Sequence, residues 1–425
     1  MSEATPGRSR RPPRHLLTGN FEPSFLAQLS IAALSTTAVL ATRPMMTYRA
    51  LSLSASPLEI GLIAAVFSIA PAILAVAIGR SIDRHGERRF IMLAMLAIAV
   101  GGLMAAAVGT LELLAVSQVI MGLGHVTNLI AGQSLIANAG GREGREHRYG
   151  LYATMGSVGH LAGPLLAVWL VHSSPFLPAA RANAQAPAFI AASGVAAVAF
   201  ALTLLLSRDR RAHLRGDPAT DESPPRVLSA ARSVLRRPGM PLAMLVSMVT
   251  ISSLDVLIAY LPLYGEVRGV PVAVIGTLLA IRAGSSLVSR LFMARLIHLL
   301  GRNVLAASMG VAALGFVIVP FTESPLVLGV LMVLIGLGLG IGQPMTMVWV
   351  ANRSPRAERA TALGVRLTGN RSALVAVPIA VGALSGVAGV GVIFWLLAAL
   401  LGVGASASLV RPLGAATPAD EELNK

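Results

Sequence analysis

Inside stretches of sequence that are otherwise apolar lie one carboxylate, Asp255, two imidazoles, His125 and His160, and four guanidiniums, Arg43, Arg282, Arg366 and Arg371. Charge at bilayer depth is costly unless it faces a cavity or a partner, so each of these marks a place where the fold must supply one. Asp255 can carry a proton, because burial away from a cation disfavours its ionised form and contact with a cation favours it. The expected partner is Arg282, at comparable depth on the next apolar stretch, and the pair reads either as a switch or as a fixed structural contact. His125 and His160 are further proton-coupling candidates, each with the alternative of a hydrogen-bonded structural role. Four guanidiniums against one carboxylate favour an anionic or zwitterionic ligand.

Neutral polar residues extend these positions into faces. Gln118, His125 and Asn128 follow i, i+7, i+10, while Arg282, Ser286 and Ser289 follow i, i+4, i+7. Arg366 and Asn370 are one turn apart, with Arg371 rotated by about 100° from Asn370. Gln343 stands beside Pro344, where the helix can kink. Arg43, Gln118, Asn128, Arg282, Ser286, Gln343, Arg366 and Asn370 are therefore expected to line a substrate cavity. No phosphate loop, membrane-depth carboxylate pair or metal-ligand spacing is visible, and the chain has no cysteine. These features imply neither an enzyme nor a cofactor or metal.

The elements that position these groups follow from composition. The 425 residues are 55% hydrophobic and 12% charged, with a mean hydropathy of +0.74, whereas soluble chains carry about 25% charged residues. Apolar runs of membrane length occur near 24–48, 57–79, 90–109, 112–138, 149–172, 187–206, 240–263, 272–297, 303–321, 325–351, 361–386 and 388–411. The class is therefore all-α integral membrane, with twelve transmembrane helices. The net charge of +15 does not point to nucleic acid. Its arginines fall in short runs between the apolar stretches, at 80–89, 142–148, 208–237, 290–302 and 353–359, on every second connection. By the positive-inside rule those connections and both termini are cytoplasmic. The expected plan is a basic tail over 1–23, a six-helix bundle over 24–206, a polar linker over 207–239, a second bundle over 240–411 and a tail over 412–425, in a cell membrane.

The two halves are copies. Adding 214 carries Gly122, Gly124, Asn138, Arg145, Gly150 and Pro164 onto the same residue types, and adding 215 does so for Ile60, Gly61 and Gly86. A duplicated six-helix unit implies two bundles about a pseudo-twofold axis with a cavity between them. After the second span the chain reads GRSIDRHGERR from Gly79 to Arg89. Gly79 allows close helix approach, Asp83 sits at a helix end, Gly86 allows a tight turn, and Arg84, Arg88 and Arg89 hold the loop in the cytoplasm. This spacing resembles the G-x-x-x-D-R-x-G-R-R signature of the major facilitator superfamily, with Glu87 as a departure. ARLIHLLGRN from Ala294 resembles the family's weaker second copy, with His298 in place of the acid.

The resemblance implies two six-helix bundles that alternate access to a small-molecule substrate. It also implies that Gly79, Asp83, Arg84, Gly86 and Arg88 tie the halves together in the outward-open state. Gly159, Gly163 and Pro164 resemble the core of the family's antiporter signature, although Ala167 and Val168 replace its last glycines and Gln118 stands where proton-coupled exporters carry an arginine. The leading expectation is thus a monomeric, proton-coupled exporter of a drug or metabolite. A proton-coupled importer of an organic anion is second, and a non-transporting membrane receptor or scaffold third.

Overall fold

The computed structural model describes residues 23–138, 145–173, 183–206, 232, 234–352 and 359–410. The expected N-terminal tail up to residue 22, the C-terminal tail, residues 207–231 and 233 of the linker, and the arginines at 142, 353 and 356 lie outside the described residues. So do the side chains of Asp83 and Arg145.

Twelve main helices follow: α1 Pro23–Ser52, α2 Pro57–His85, α3 Glu87–Ala107, α4 Leu111–Asn138, α5 Arg145–Ser173, α6 Ala186–Leu202, α7 Met240–Val267, α8 Val272–Leu291, α9 Val304–Ile318, α10 Pro325–Asn352, α11 Arg359–Ala388 and α12 Gly391–Val410. Each is long and apolar enough to cross a bilayer, α9 together with the residues flanking it over Arg295–Phe321. Among the described residues there is no strand. The eighth span, expected to run unbroken over 272–297, is interrupted at Phe292 and resumes as a short helix, Met293–Leu300. The interruption is slight, since Phe292 still donates to the Val288 carbonyl and accepts from Leu296.

Helix ends follow local chemistry. Ser56 and Glu59 form a reciprocal capping box at the start of α2, with Pro57 at the first helical position. Gly86 closes α2 with φ of 88° and donates to the Ile82 carbonyl. Gly301, its repeat counterpart, has φ of 54° and donates to Ile297. Both backbones need a conformation that L side chains rarely adopt. At the α7–α8 turn Arg268 donates to Glu323 over 2.7 Å, and this bond raises the exposed guanidinium above its usual pKa.

Packing repeats as well. In each half the first helix lies on the fifth, the second on the fourth and the third on the fourth and sixth, while α2 meets α11 and α5 meets α8 across the halves. A Cβ on Gly122 would lie 2.0 Å from the Phe67 carbonyl oxygen, and one on Gly336 would lie 2.4 Å from that of Arg282. Phe67 and Arg282 are themselves 215 residues apart, so the repeat fixes one backbone contact twice. Gly122→Leu and Gly336→Leu are each expected to destabilise the protein by about 3 kcal/mol or more, because the obstructing atom is backbone. Gly402→Leu, where a side chain meets open space, is the control. Thermal unfolding in detergent distinguishes them, and equal melting of all three variants would contradict the contact.

Candidate functional site

Arg43 sits two-thirds of the way along α1 and is 3% exposed. Its Nη2 donates to Oδ1 of Asp255 on α7, and its guanidinium lies 4.7 Å from the centre of the Phe67 ring of α2. Thr47, one turn on, donates to the Ala259 carbonyl over 2.7 Å. Both contacts join residues 212 apart, as expected of two first helices facing each other across a pseudo-twofold axis. Asp255 therefore pairs with Arg43 and not with Arg282, which corrects the sequence expectation. The symmetry axis brings α1 to α7, whereas α8 packs on α5 and α10. Asp255 Oδ2 and Arg43 Nη1 are buried without a hydrogen-bond partner.

Arg282 is also 3% exposed. Its Nε has no partner, and among the described residues no carboxylate pairs with it. The charged group in its reach is Arg290, of the same sign. Arg290 is itself engaged, with the Gly340 carbonyl at 3.0 Å and Ser157 Oγ of α5 at 3.3 Å. His160 on α5 lies in the fields of Arg282, Arg290 and His125. His125 on α4 packs its ring 5.9 Å from Phe67, leaves Nδ1 unpartnered and lies in the fields of Arg371 and Arg43. Arg371 is half-buried on α11 and in the field of Asp255. Asp255, both histidines, Arg43, Arg282 and Arg371 thus form one electrostatically connected group at mid-bundle.

Other expected cavity residues have local partners. Arg366 Nη2 donates to the Gln343 carbonyl at 3.0 Å, Gln343 Oε1 at 2.6 Å and Thr346 Oγ1 at 3.1 Å. Gln343 Nε2 donates to the Ser247 carbonyl, and Ser247 Oγ to Asn370 Oδ1. This network joins α7, α10 and α11. Ser286 donates to the Gly336 carbonyl at 2.9 Å, Asn128 to Ser35 at 2.9 Å, and the fully buried Gln118 lies against its own turn, 3.5 Å from Ser117 Oγ.

The repeat shows where the halves differ. The counterparts of Arg282, Arg366 and Arg371 are Phe67, Tyr152 and Ser157, while those of His125 and His160 are Leu339 and Leu374. These three cations and two imidazoles therefore each belong to one half alone. Phe67 was missed in the sequence, yet the offset of 215 from Arg282 points to it.

The halves also touch near the α1–α2 turn. A Cβ on Gly61 would lie 2.5 Å from the Pro378 carbonyl oxygen, and one on Gly276 would lie 1.8 Å from Val168 and 3.2 Å from the Pro164 carbonyl. The Tyr260 hydroxyl lies 3.1 Å from the Pro57 carbonyl and 2.9 Å from that of Pro378, a bridge that sequence reading also missed. Toward the α2–α3 turn, Ala72, Ile73 and Leu74 are exposed in succession, Ile73 by 74%. Three successive residues cover more than half the helix circumference, so no helix packs over α2 there. Gly79, expected to allow close helix approach, accordingly faces open space. Arg84 is exposed, and Arg88 donates to the carbonyls of Thr203 and Leu204 within its own half. On α5, Gly159 and Gly163 lie against Thr36 and Leu40 of α1.

A family model described as Major Facilitator Superfamily matches residues 28–373 and 270–424. A search of curated proteins finds no match. Among solved structures, the chain is similar to a D-xylose-proton symporter, at 13% identity and a TM-score of 0.73, covering 92% of this chain and 97% of that one. It is similar to the nucleoside transporter NupG at 15% identity and a TM-score of 0.69, covering 91% and 98%. A bacterial homolog to the human lysosomal transporter Spinster, inward-facing and unoccupied, gives 15% and 0.67, covering 92% and 93%. At these identities the likeness is one of fold.

Proposed function

The chain belongs to the major facilitator superfamily, and from that premise we propose that this secondary transporter carries a small organic anion, coupled to protons, through the cavity between its halves. The observation that supports this most is Arg282. A buried guanidinium without a counter-ion is costly in a low-dielectric interior, and a bound carboxylate removes the cost by supplying a bidentate acceptor. Asp255 does not fill that role, because Arg43 holds it.

The arginine-rich connections support a cytoplasmic α2–α3 end; on that reading the closed α1–α2 end faces outward and this conformer opens inward. Arg84, exposed in this conformer, would then meet the second half only after the cytoplasmic end closes. The plasma membrane, a monomeric carrier and cytoplasmic termini complete the reading.

Export is the direction that Gly159, Gly163 and Pro164 imply through their resemblance to the antiporter signature. Import is a second reading, favoured by one observation: the Pro164 carbonyl meets Gly276 as the Pro378 carbonyl meets Gly61. Packing in both halves thus accounts for a feature otherwise read as a mark of antiport.

The test is a thermal-shift panel of carboxylates and lipophilic cations on purified protein, since a specific ligand stabilises the native state by mass action. Carboxylates are expected to raise the melting temperature and cations to leave it unchanged; the reverse pattern overturns the anion assignment. Flux of the best carboxylate in everted vesicles then reads the direction.

A further inference from the structure

The halves meet along two seams, α2 with α11 and α5 with α8, which the repeat makes equivalent and the side chains make unequal. At the closed end both are tight, with Gly61 against the Pro378 carbonyl and Gly276 against that of Pro164. Toward the α2–α3 end the α5–α8 seam stays joined. Leu161 lies 3.8 Å from the position of a Cβ on Gly284, and Arg290 Nη1 donates to Ser157 Oγ over 3.3 Å. The repeat equivalents of Ser157 and Arg290 are Arg371 and Ala75. An alanine offers no side-chain acceptor, so the α2–α11 seam cannot be fastened in the same way. Eleven residues after Gly61 and eleven before Pro378, about 16 Å along each helix, stand Ala72 and Leu367. Both are exposed, Leu367 by 51%, and so are Ile73 and Leu74 beside Ala72. The halves thus part along α2 and α11 while α5 and α8 hold.

The walls of this cleft are amphiphilic. Leu367 and Arg371 are one turn apart and share a face of α11. Arg371 is half-buried and lies in the field of Asp255, and His125 lies in the field of Arg371. That face therefore runs from an exposed apolar rim to the charged groups of the cavity. On the α2 wall, no polar side chain occurs from Ile69 to Gly79. A small polar acid would satisfy the arginine and leave the apolar rim without a partner. Resting on the anion reading, we propose that the transported carboxylate bears an alkyl chain, with its head group among the cavity arginines, Arg371 nearest the mouth, and its tail along α2 in a cleft that opens to the bilayer at the α2–α3 end.

The experiment titrates butanoate, hexanoate, octanoate and decanoate, below their micelle concentrations, onto the protein in nanodiscs. Alkyltrimethylammonium ions of the same lengths are the controls. Affinity for the acids is expected to rise by about fourfold or more per two carbons, the effect of burying half of each added methylene, and the cations are expected not to bind. Partitioning into the disc steepens every protein equally, so variants isolate the cleft. Ile73→Gln is expected to weaken decanoate by about fivefold or more and to leave butanoate unchanged. Leu103→Gln, 52% exposed on α3, is expected to change neither. Arg371→Gln is expected to weaken all four acids by a common factor of about tenfold, the loss of a charged hydrogen-bond donor. Should Ile73→Gln not fold, Leu367→Gln on the facing wall takes its place. The proposal is overturned if Ile73→Gln and Leu103→Gln behave alike, if Arg371→Gln binds as wild type does, or if the cations bind with the same slope as the acids. If butanoate binds as tightly as decanoate, the anion reading stands and the alkyl chain falls. If no acid of any length binds, the anion reading itself falls, and this inference with it.

Discussion

Arg282→Gln is expected to raise the melting temperature of the substrate-free protein while weakening carboxylate binding by about thirtyfold or more. The two effects have one cause. Removing a buried charge that has no partner relieves a desolvation cost in the empty carrier, whereas in the complex it leaves the substrate carboxylate without its counter-ion. Truncating one member of a buried charged pair costs about 2–5 kcal/mol, and each 1.4 kcal/mol is tenfold in affinity. Arg282→Lys is expected to lie between, since an ammonium keeps the charge but loses the planar fork. A structural arginine behaves in the opposite way, with lower stability and unchanged binding. Titration with the best carboxylate and unfolding of the apo protein, measured on the same preparations, separate the two.

The halves and their helices were legible because lipid imposes simple rules: about twenty apolar residues per span, arginines on one side and glycines wherever backbones meet. Gly122 and Gly336 repeat in sequence because their contacts with Phe67 and Arg282 repeat in space. Partnership between charges was not legible. Asp255 and Arg282 are 27 residues apart on consecutive helices, and sequence proximity favoured that pair. The partner proved to be Arg43, 212 residues away, because the symmetry axis brings the first helix of one half against the first of the other. The offset was visible in the sequence, but it specifies equivalence and not contact, and only helices beside the axis convert one into the other. Likewise Arg366 and Asn370 share a helical face in the sequence as cavity residues would, and nothing in their spacing foretold that both bond to Gln343 of α10.

Gly61→Val is expected to hold the carrier open at the end that is closed here and to reduce transport by more than tenfold. A side chain at Gly61 collides with the Pro378 carbonyl and the Tyr260 hydroxyl, each 2.5 Å from the position of its Cβ. The carbonyl is backbone and the tyrosine is fully buried, so neither yields as the tip of a flexible chain would. Relief requires α2 and α11 to separate, which is the movement that opens this end. Disfavouring the closed state by about 3 kcal/mol reduces its population more than a hundredfold, and a carrier that cannot close one end cannot complete its cycle. Because the chain contains no cysteine, a single Thr47→Cys in the α1–α7 contact reports the change without background. Maleimide labelling at this site in detergent is expected to be slow in the otherwise native protein and fast when Gly61→Val is added. Gly386→Val on α11, where a side chain meets open space, is expected to change neither labelling nor transport. Labelling at the native rate in the Gly61→Val background would show that α2 and α11 accommodate the valine without parting, and the gate would then have to lie elsewhere.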